Sequence, residues 1–292
     1  MNCTPDQNQR EEALLKAAKT GPTQEAITLF QDLVLSYYHE HGRDLPWRDT
    51  TNPYQILVSE IMLQQTQVER VIPKYKAFLA TFETIDQLAA APLSEVLTAW
   101  SGLGYNRRAI NLQRTAGIIR NEHNGYLPKN PDTLATFPGI GKATAAAICA
   151  YAFNMPVVYI ETNIRRIFIH FFFQDQVNIP DTDILPVIEA ALDRENPGVW
   201  YSALMDYGTL LKLRLKNPNQ RSRHYTRQAP FAGSDREIRG KILRLLIERT
   251  KMERRSLIRS LDTDEARVEK VLHDLRREGF VQEDAGLYSI KK

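Results

Sequence analysis

The sequence predicts an all-α body followed by a small α+β unit of winged-helix type at the C-terminus. Three observations predict it. From Thr23 onward apolar residues recur at helical spacing almost without interruption. No alternating stretch long enough for a multi-stranded sheet occurs before residue 270. Beyond Pro230-Phe231-Ala232-Gly233-Ser234 the texture changes to three helical stretches followed by two short β-prone ones.

Residues 1–22 read as a flexible leader with one weak helix over 9–19. Ala26, Leu29, Phe30, Leu33 and Tyr37 mark one apolar face of a first helix that ends near Gly42. Leu45-Pro46-Trp47-Arg48 and Asn52-Pro53-Tyr54 form a turn-rich connection. Residues 55–78 read as one or two helices, with Pro73 marking the break. Short helices follow over 85–91, 93–100 and 107–120, punctuated by Pro92 and Gly102-Leu103-Gly104. Gly125-Tyr126-Leu127-Pro128 leads into a pair at 131–136 and 145–153, and helices over 163–173, 184–192 and 199–212 complete the body. Helices at 236–249, 254–260 and 264–278 then precede strands at 279–282 and 287–290, joined at Asp284-Ala285-Gly286. The expected division is a leader 1–22, a helical body 23–228, a linker 229–235 and a C-terminal unit 236–292.

A chain of 292 residues, 43% hydrophobic, buries a proper core and divides into two or three units. No apolar run reaches the roughly 18 residues of a membrane span, and the polar start does not read as a signal peptide. Two cysteines, Cys3 and Cys149, make neither a disulfide framework nor a four-thiolate metal site, and Cys149 reads as a small core residue. The expectation is a soluble cytoplasmic protein. Net charge is +3, yet residues 1–211 carry a balance of −6 and residues 212–292 one of +9. The sharpest block is 212–228, with Lys212, Arg214, Lys216, Arg221, Arg223 and Arg227 and no acid. Such a block is either a solvated tail or a polyanion contact; the interleaved His224 and Tyr225 favour DNA phosphates. In a winged-helix unit the third helix, 264–278, often contacts DNA, the other reading being a face that packs on a partner protein.

The run Phe137-Pro138-Gly139-Ile140-Gly141-Lys142-Ala143-Thr144 lies between two helical stretches. On one reading it is an ordinary glycine-containing loop. On the other, Gly139 and Gly141 adopt positive φ and close a tight helical hairpin. Its backbone N–H groups, with Lys142 and Thr144, then offer a dock for a phosphate. Two carboxylates stand out beside it. Glu60 is placed at the start of a helix whose face also carries Gln64 and Gln67. A glutamate there is commonly mere dipole chemistry, but flanking Val58, Ile61 and Met62 can desolvate it and hold a proton for general-acid work. Glu161 precedes Thr162-Asn163, which can cap the following helix, and the dipole there favours an ionised carboxylate. One carboxyl kept protonated and one kept charged suits cleavage of a glycosidic C–N bond, by the two-carboxyl logic of sugar hydrolases.

Residues 43–211 resemble the helix-hairpin-helix DNA glycosylase superfamily, and within it the adenine DNA glycosylases. The resemblance is carried by Leu45–Arg48, Ser-Glu-Ile-Met-Leu-Gln-Gln-Thr-Gln-Val at 59–68, residues 100–112, the hairpin run, and Met205-Asp206-Tyr207-Gly208. It implies a two-part helical glycosylase body. By that match Glu60 is the general acid that protonates adenine N7, and Glu161 takes the place of the catalytic carboxylate. Gln64 and Gln65 wedge into the duplex, Tyr105 lies beside the lesion-containing strand, and Asn163 supports the catalytic carboxylate. Arg48, Gly139, Gly141, Lys142, Thr144, Arg221, Arg223 and Arg227 complete the expected DNA contacts. The base must leave the stack to be reached, at a cost of a few kcal/mol that is least at a mismatch.

The departures from the family pattern are informative. Glu161 stands where the family has Asp, and Ala143 where related lyases carry a Schiff-base Lys, so no strong β-lyase activity is expected. The four-cysteine iron–sulfur loop expected after Met205-Asp206 has no cysteine, so no cofactor or metal is expected, and the basic 212–228 block takes its place. The Nudix-like C-terminal domain that reads 8-oxoguanine is replaced by the winged-helix-like unit. The sequence thus predicts a monofunctional DNA glycosylase of base excision repair. Its substrate would be adenine mispaired with guanine or 8-oxoguanine in double-stranded DNA, making it nucleoid-associated. The alternatives are a T:G or U:G mismatch thymine/uracil glycosylase and a non-catalytic DNA-binding sensor.

Overall fold

In the computed structural model, which describes residues 5–227 and 230–291, the chain is helical except for three short strands at its C-terminal end. Cys3, Gln228, Ala229 and Lys292 lie outside the described residues. The all-α body and the small α+β end are as predicted. The chain divides into two compact units, neither continuous in sequence: Met1–Ile56, Lys129–Ala135 and Gly141–Arg227, and Leu57–Pro128, Thr136–Ile140 and Gln228–Lys292. Residues 23–228 are therefore shared between two units.

Within the first unit α1 (Pro5–Ala17) is a packed helix where a flexible leader over 1–22 was expected. It is held because Leu14 is fully buried, Glu11 accepts from Tyr207 Oη, and Arg214 Nη1 reaches Glu11 Oε1 at 2.7 Å. Around α2 (Gln24–His41), capped by Thr23 Oγ1 on the Ala26 N–H, pack α9 (Lys142–Phe153), α10 (Thr162–Phe172), α11 (Asp181–Ala191) and α12 (Pro197–Arg214). Phe30 meets Phe168, Phe171, Phe172 and Trp200 edge-on, with centroids 5.0, 5.9, 5.3 and 5.8 Å away. The edge-to-face geometry joins the positive ring edge to the negative face of its neighbour. The short α8 (Pro131–Leu134) also belongs to this unit, started by Asn130 Oδ1 on the Thr133 N–H.

In the second unit α4 (Val68–Thr81), α5 (Ile85–Ala90), α6 (Leu93–Trp100) and α7 (Arg107–Glu122) bury their apolar stripes together, including fully buried Phe78 and Trp100. The break expected at Pro73 falls earlier. Between α3 (Pro53–Leu63) and α4, Gln65 takes φ 55°, while Pro73 is carried inside α4. The C-terminal part packs α13 (Asp235–Arg249) on α15 (Glu265–Glu278) and α6. The short α14 (Arg254–Arg259) follows β1 (Lys251–Glu253), which joins the antiparallel hairpin β2 (Val281–Asp284) and β3 (Leu287–Ile290) in the order β1-β3-β2. Strand β1 escaped the sequence pattern because three residues carry too little alternation.

Candidate active site

Glu161 is itself the N-cap of α10, a role expected of Thr162-Asn163. Its Oε1 accepts from the backbone N–H groups of Asn163 and, at 2.8 Å, Ile164. Burial drives the carboxyl's pKa above its ordinary value, and these two N–H groups, with Arg166 and Arg165, only partly offset that. The dipole therefore does not win at this cap, contrary to the sequence expectation. Asn163 supports the carboxylate through its main chain. Its side chain turns away, accepting from Arg166 Nη1 at 2.6 Å and pointing Nδ2 at the Met205 sulfur, 3.7 Å off.

The Met205-Asp206-Tyr207-Gly208 run is the mechanical support of that cap. Arg166 Nη1 also donates to Gly208 O at 2.8 Å, and a Cβ on Gly208 would stand 2.7 Å from Asn163 Cβ. Only glycine lets α12 approach the first turn of α10 so closely. Asp206, almost fully buried, accepts from Arg48 Nη1 and Nη2 at 2.8 Å each and from Arg43 Nε at 2.7 Å. Burial alone would raise the Asp206 carboxyl; the arginine bonds hold it below the ordinary range. Arg48 further donates to the carbonyls of Arg43 and Ser202 and lies over the Tyr38 ring. Arg48, expected on DNA, is thus a half-buried clamp whose Nη1 and Nη2 donors are spent inside the unit.

Gly141 caps α9 with φ −87°, an extended value, so only Gly139 (φ 78°) of the pair uses the left-handed region. The N-cap, Gly141, makes no side-chain cap, and in the first turn of α9 Lys142 is exposed and Thr144 half-buried. Ala143 packs on the core of the first unit, with no amine at that position.

The 212–227 segment splits into two kinds of residue. Arg221 donates to the carbonyls of Phe173, Gln174 and, at 2.9 Å, Ile169, closing the C-terminal end of α10; it is structural, not a phosphate contact. Asn219, buried, donates Nδ2 to Thr162 O at 2.9 Å, beside Glu161. Arg223 and Arg227 are exposed, as the DNA reading requires. The segment does not fit an iron–sulfur cluster. It holds no thiolate, and Cys149 is buried, donates to Lys129 O, and has its thiol pushed up by burial to about 11. Among the described residues no group of three or more His, Cys, Asp or Glu side chains is placed to hold a metal, and no helix is long and apolar enough to cross a membrane.

In the second unit Glu60 is the eighth residue of α3, near its C-terminal end and not at its start. Fully buried Val58, Ile61 and Met62 surround it in sequence, and the side chain is half-buried. Gln64 Nε2 is tied to Gly139 O at 3.1 Å, so the hairpin turn carries it, and Gln65 stands exposed in the left-handed region. A Cβ on Gly139 would meet Asn111 Nδ2 at 2.8 Å. Tyr105 (φ 47°) lies between two guanidiniums, Arg108 and Arg236, each 5.4 Å from its ring centroid. Arg108 is the residue that sequence reasoning missed. It donates to the carbonyls of Ile61, Met62 and Gln64 at 3.0, 2.8 and 2.6 Å, to Gly104 O, and to Thr66 Oγ1. Burial lowers its guanidinium to about 10. Its only sequence signal was a second arginine on an otherwise apolar helix face.

Residues 58–183 match the family model described as HhH-GPD superfamily base excision DNA repair protein. The chain is 36% identical to an adenine DNA glycosylase of Mycolicibacterium smegmatis, over 86% of this chain and 92% of that protein. It is 39% identical to the adenine DNA glycosylase of Buchnera aphidicola subsp. Baizongia pistaciae over 65% of this chain; the match spans 54%, about half, of that relative. Among solved structures it is similar to a thermostable thymine-DNA glycosylase, with TM-score 0.58 and 25% identity, over 63% of this chain and 86% of that one.

Proposed function

This chain belongs to the adenine DNA glycosylases of the HhH-GPD superfamily, and on that premise we propose that it hydrolyses the N-glycosidic bond of adenine mispaired with guanine or 8-oxoguanine in duplex DNA. The observation that carries the reading is the Glu161 carboxyl, buried at the N-terminus of α10 and fixed by two backbone N–H groups. A carboxylate held there, short of water, gains most when positive charge develops in front of it. The C1′–N9 bond breaks with its electron pair going to the base; Glu60 donates the proton that lets adenine leave, and Glu161 faces the oxocarbenium-like sugar until water adds at C1′ and returns its proton to the Glu60 carboxylate. Ala143 offers no amine for a Schiff base, which supports hydrolysis without strand scission. Exposed Arg223, Arg227 and Lys142, the last at the N-terminus of α9, grip phosphates. A DNA substrate makes the nucleoid the place of work.

The similarity to a thymine-DNA glycosylase favours a second reading, T:G or U:G excision. Single-turnover reactions on duplexes carrying A:8-oxoguanine, A:G, T:G, U:G and A:T, followed by alkali, decide between them. The expected result is cleavage confined to the adenine strand of the first two. Cleavage of the T or U strand selects the second reading, and silence on all five with tight binding leaves a sensor.

A further inference from the structure

Three successive residues of α12 are held from different sides. Neighbours in a helix stand about 100° apart around its axis, so Asp206, Tyr207 and Gly208 meet different partners. Asp206 takes the guanidiniums of Arg43 and Arg48. Gly208 lies against the first turn of α10, with its carbonyl on Arg166 and no room for a Cβ beside Asn163. Tyr207, fully buried, packs its ring on Tyr37 and Phe171, with centroids 5.2 and 6.0 Å away. Its Oη donates to Glu11 Oε1 on α1, 196 residues earlier. Glu11 is a buried carboxyl for which the excision chemistry has no direct use. Docking α1 does not require it, because Leu14 is fully buried, Gln174 Nε2 donates to Leu15 O at 2.8 Å, and Arg10 Nη1 to Ser36 Oγ at 3.0 Å. A buried carboxylate is costly unless paired. Here Arg214 answers it with Nη1 at 2.7 Å and Nη2 at 3.2 Å. Tyr207 and Arg214 stand two turns apart on one face of α12, so one carboxyl grips that helix at two points.

We propose that Glu11 is a positioning residue for the Glu161 carboxyl, acting through Tyr207 and the turn of α12 that supports the start of α10. The Tyr207 hydroxyl, at the tip of a long rigid side chain, fixes the rotation of α12. That rotation sets Gly208 against Asn163, and the Asn163 N–H is one of the two donors that hold Glu161 Oε1. Packing alone leaves a helix free to slide or turn by fractions of an ångström; a directional bond at the end of a lever does not. The inference rests on the reading of Glu161 as the carboxylate that faces the sugar. It gives α1 a part in excision without contact with the reacting atoms.

The test uses the full chain, well below every melting point, and compares Glu11→Ala, which removes the acceptor, with Glu11→Gln, which keeps an oxygen for Tyr207. Single-turnover adenine release from A:8-oxoguanine falls about 10-fold in Glu11→Ala, part of the roughly 100-fold that about 1 Å of misplacement costs. Affinity for the same duplex stays at the wild-type value, and Glu11→Gln recovers most of the rate. Hydrogen exchange reads the link without turnover. In Glu11→Ala the amides of Asn163 and Ile164 exchange faster, while those of α9 in the same unit keep their wild-type protection. If Glu11→Ala does not fold, Tyr207→Phe, which keeps the ring and loses only Oη, is read in the same way. A variant that melts lower yet releases adenine at the wild-type rate overturns the proposal, as does faster exchange spread evenly over the unit. If wild type itself releases no adenine, the excision reading fails, and the exchange of the two amides alone decides whether Glu11 reaches Glu161. If wild type releases adenine and neither rate nor exchange responds to Glu11, only the positioning role fails.

Discussion

At residue scale the carboxyl that the family resemblance sets in the place of an aspartate is Glu161, which reaches back to the N–H groups of residues 163 and 164. Glu161→Gln keeps an oxygen for those bonds and removes the charge. Excision should fall by at least ~100-fold in single turnover, the scale set by one electrostatic group, with affinity for a mispaired duplex preserved. Glu161→Asp should also lose on the order of 10- to 100-fold, because about 1 Å of misplacement costs that much; a faster Asp variant would show that the pocket is not built around Glu. The pH dependence follows in sign. The folded pKa of Glu161 is raised, so the native state holds its proton more tightly than the unfolded chain. Its contribution to stability is whole below the ordinary glutamate value, about 4.3, and is lost as pH rises through the folded value. Glu161→Gln should therefore melt higher than wild type at pH 7, and the difference should shrink toward pH 4 in calorimetry.

At the scale of elements, helix ends are joined by arginines. Arg108 closes the end of α3, Arg221 the end of α10, and Arg48 locks Asp206 on α12. Each satisfies several carbonyl or carboxylate acceptors with one planar fork. Arg108→Lys should destabilise the protein by about 1–3 kcal/mol, since an ammonium leaves buried carbonyls unsatisfied. Chemical denaturation measures it, and no loss would mean water replaces the fork. The sequence located these helices to within a few residues because their apolar stripes are long. It misplaced the α3–α4 break because Pro73 is the stronger local signal. The actual break depends on Gln65 in the left-handed region and on Arg108, which is far along the chain.

At the scale of the whole molecule, charge and chemistry separate along the chain. The acidic balance lies in residues 1–211 and the basic balance in 212–292, but only part of the basic block faces solvent. Replacing both Arg223 and Arg227 with Gln should lower the slope of log K against log salt by about 1–2, near 0.9 per phosphate contact. The same change at Arg221 should cost thermal stability instead, a difference that titration and melting resolve. Borohydride should trap no covalent adduct between wild type and substrate DNA, because Ala143 carries no amine.

The sequence by itself determined the helical class, the hairpin with its glycine and the family, since each is written in local spacing and residue type. Tertiary structure alone decided which polar residues are exposed for DNA and which are spent internally. Arg48 and Arg221 look like phosphate ligands in a string of letters, yet their partners, Asp206 and the carbonyls of residues 169–174, are brought to them only by packing. It decided that residues 5–20 are packed helix, because Leu14 is buried in the first unit's core and Glu11 meets Tyr207 and Arg214 some 200 residues onward. It also set the direction in which the Glu161 carboxyl shifts: the sequence places a helix dipole beside it, but burial in the assembled core raises its pKa despite its two N–H bonds. A dipole is local and legible in sequence, whereas burial belongs to the whole fold.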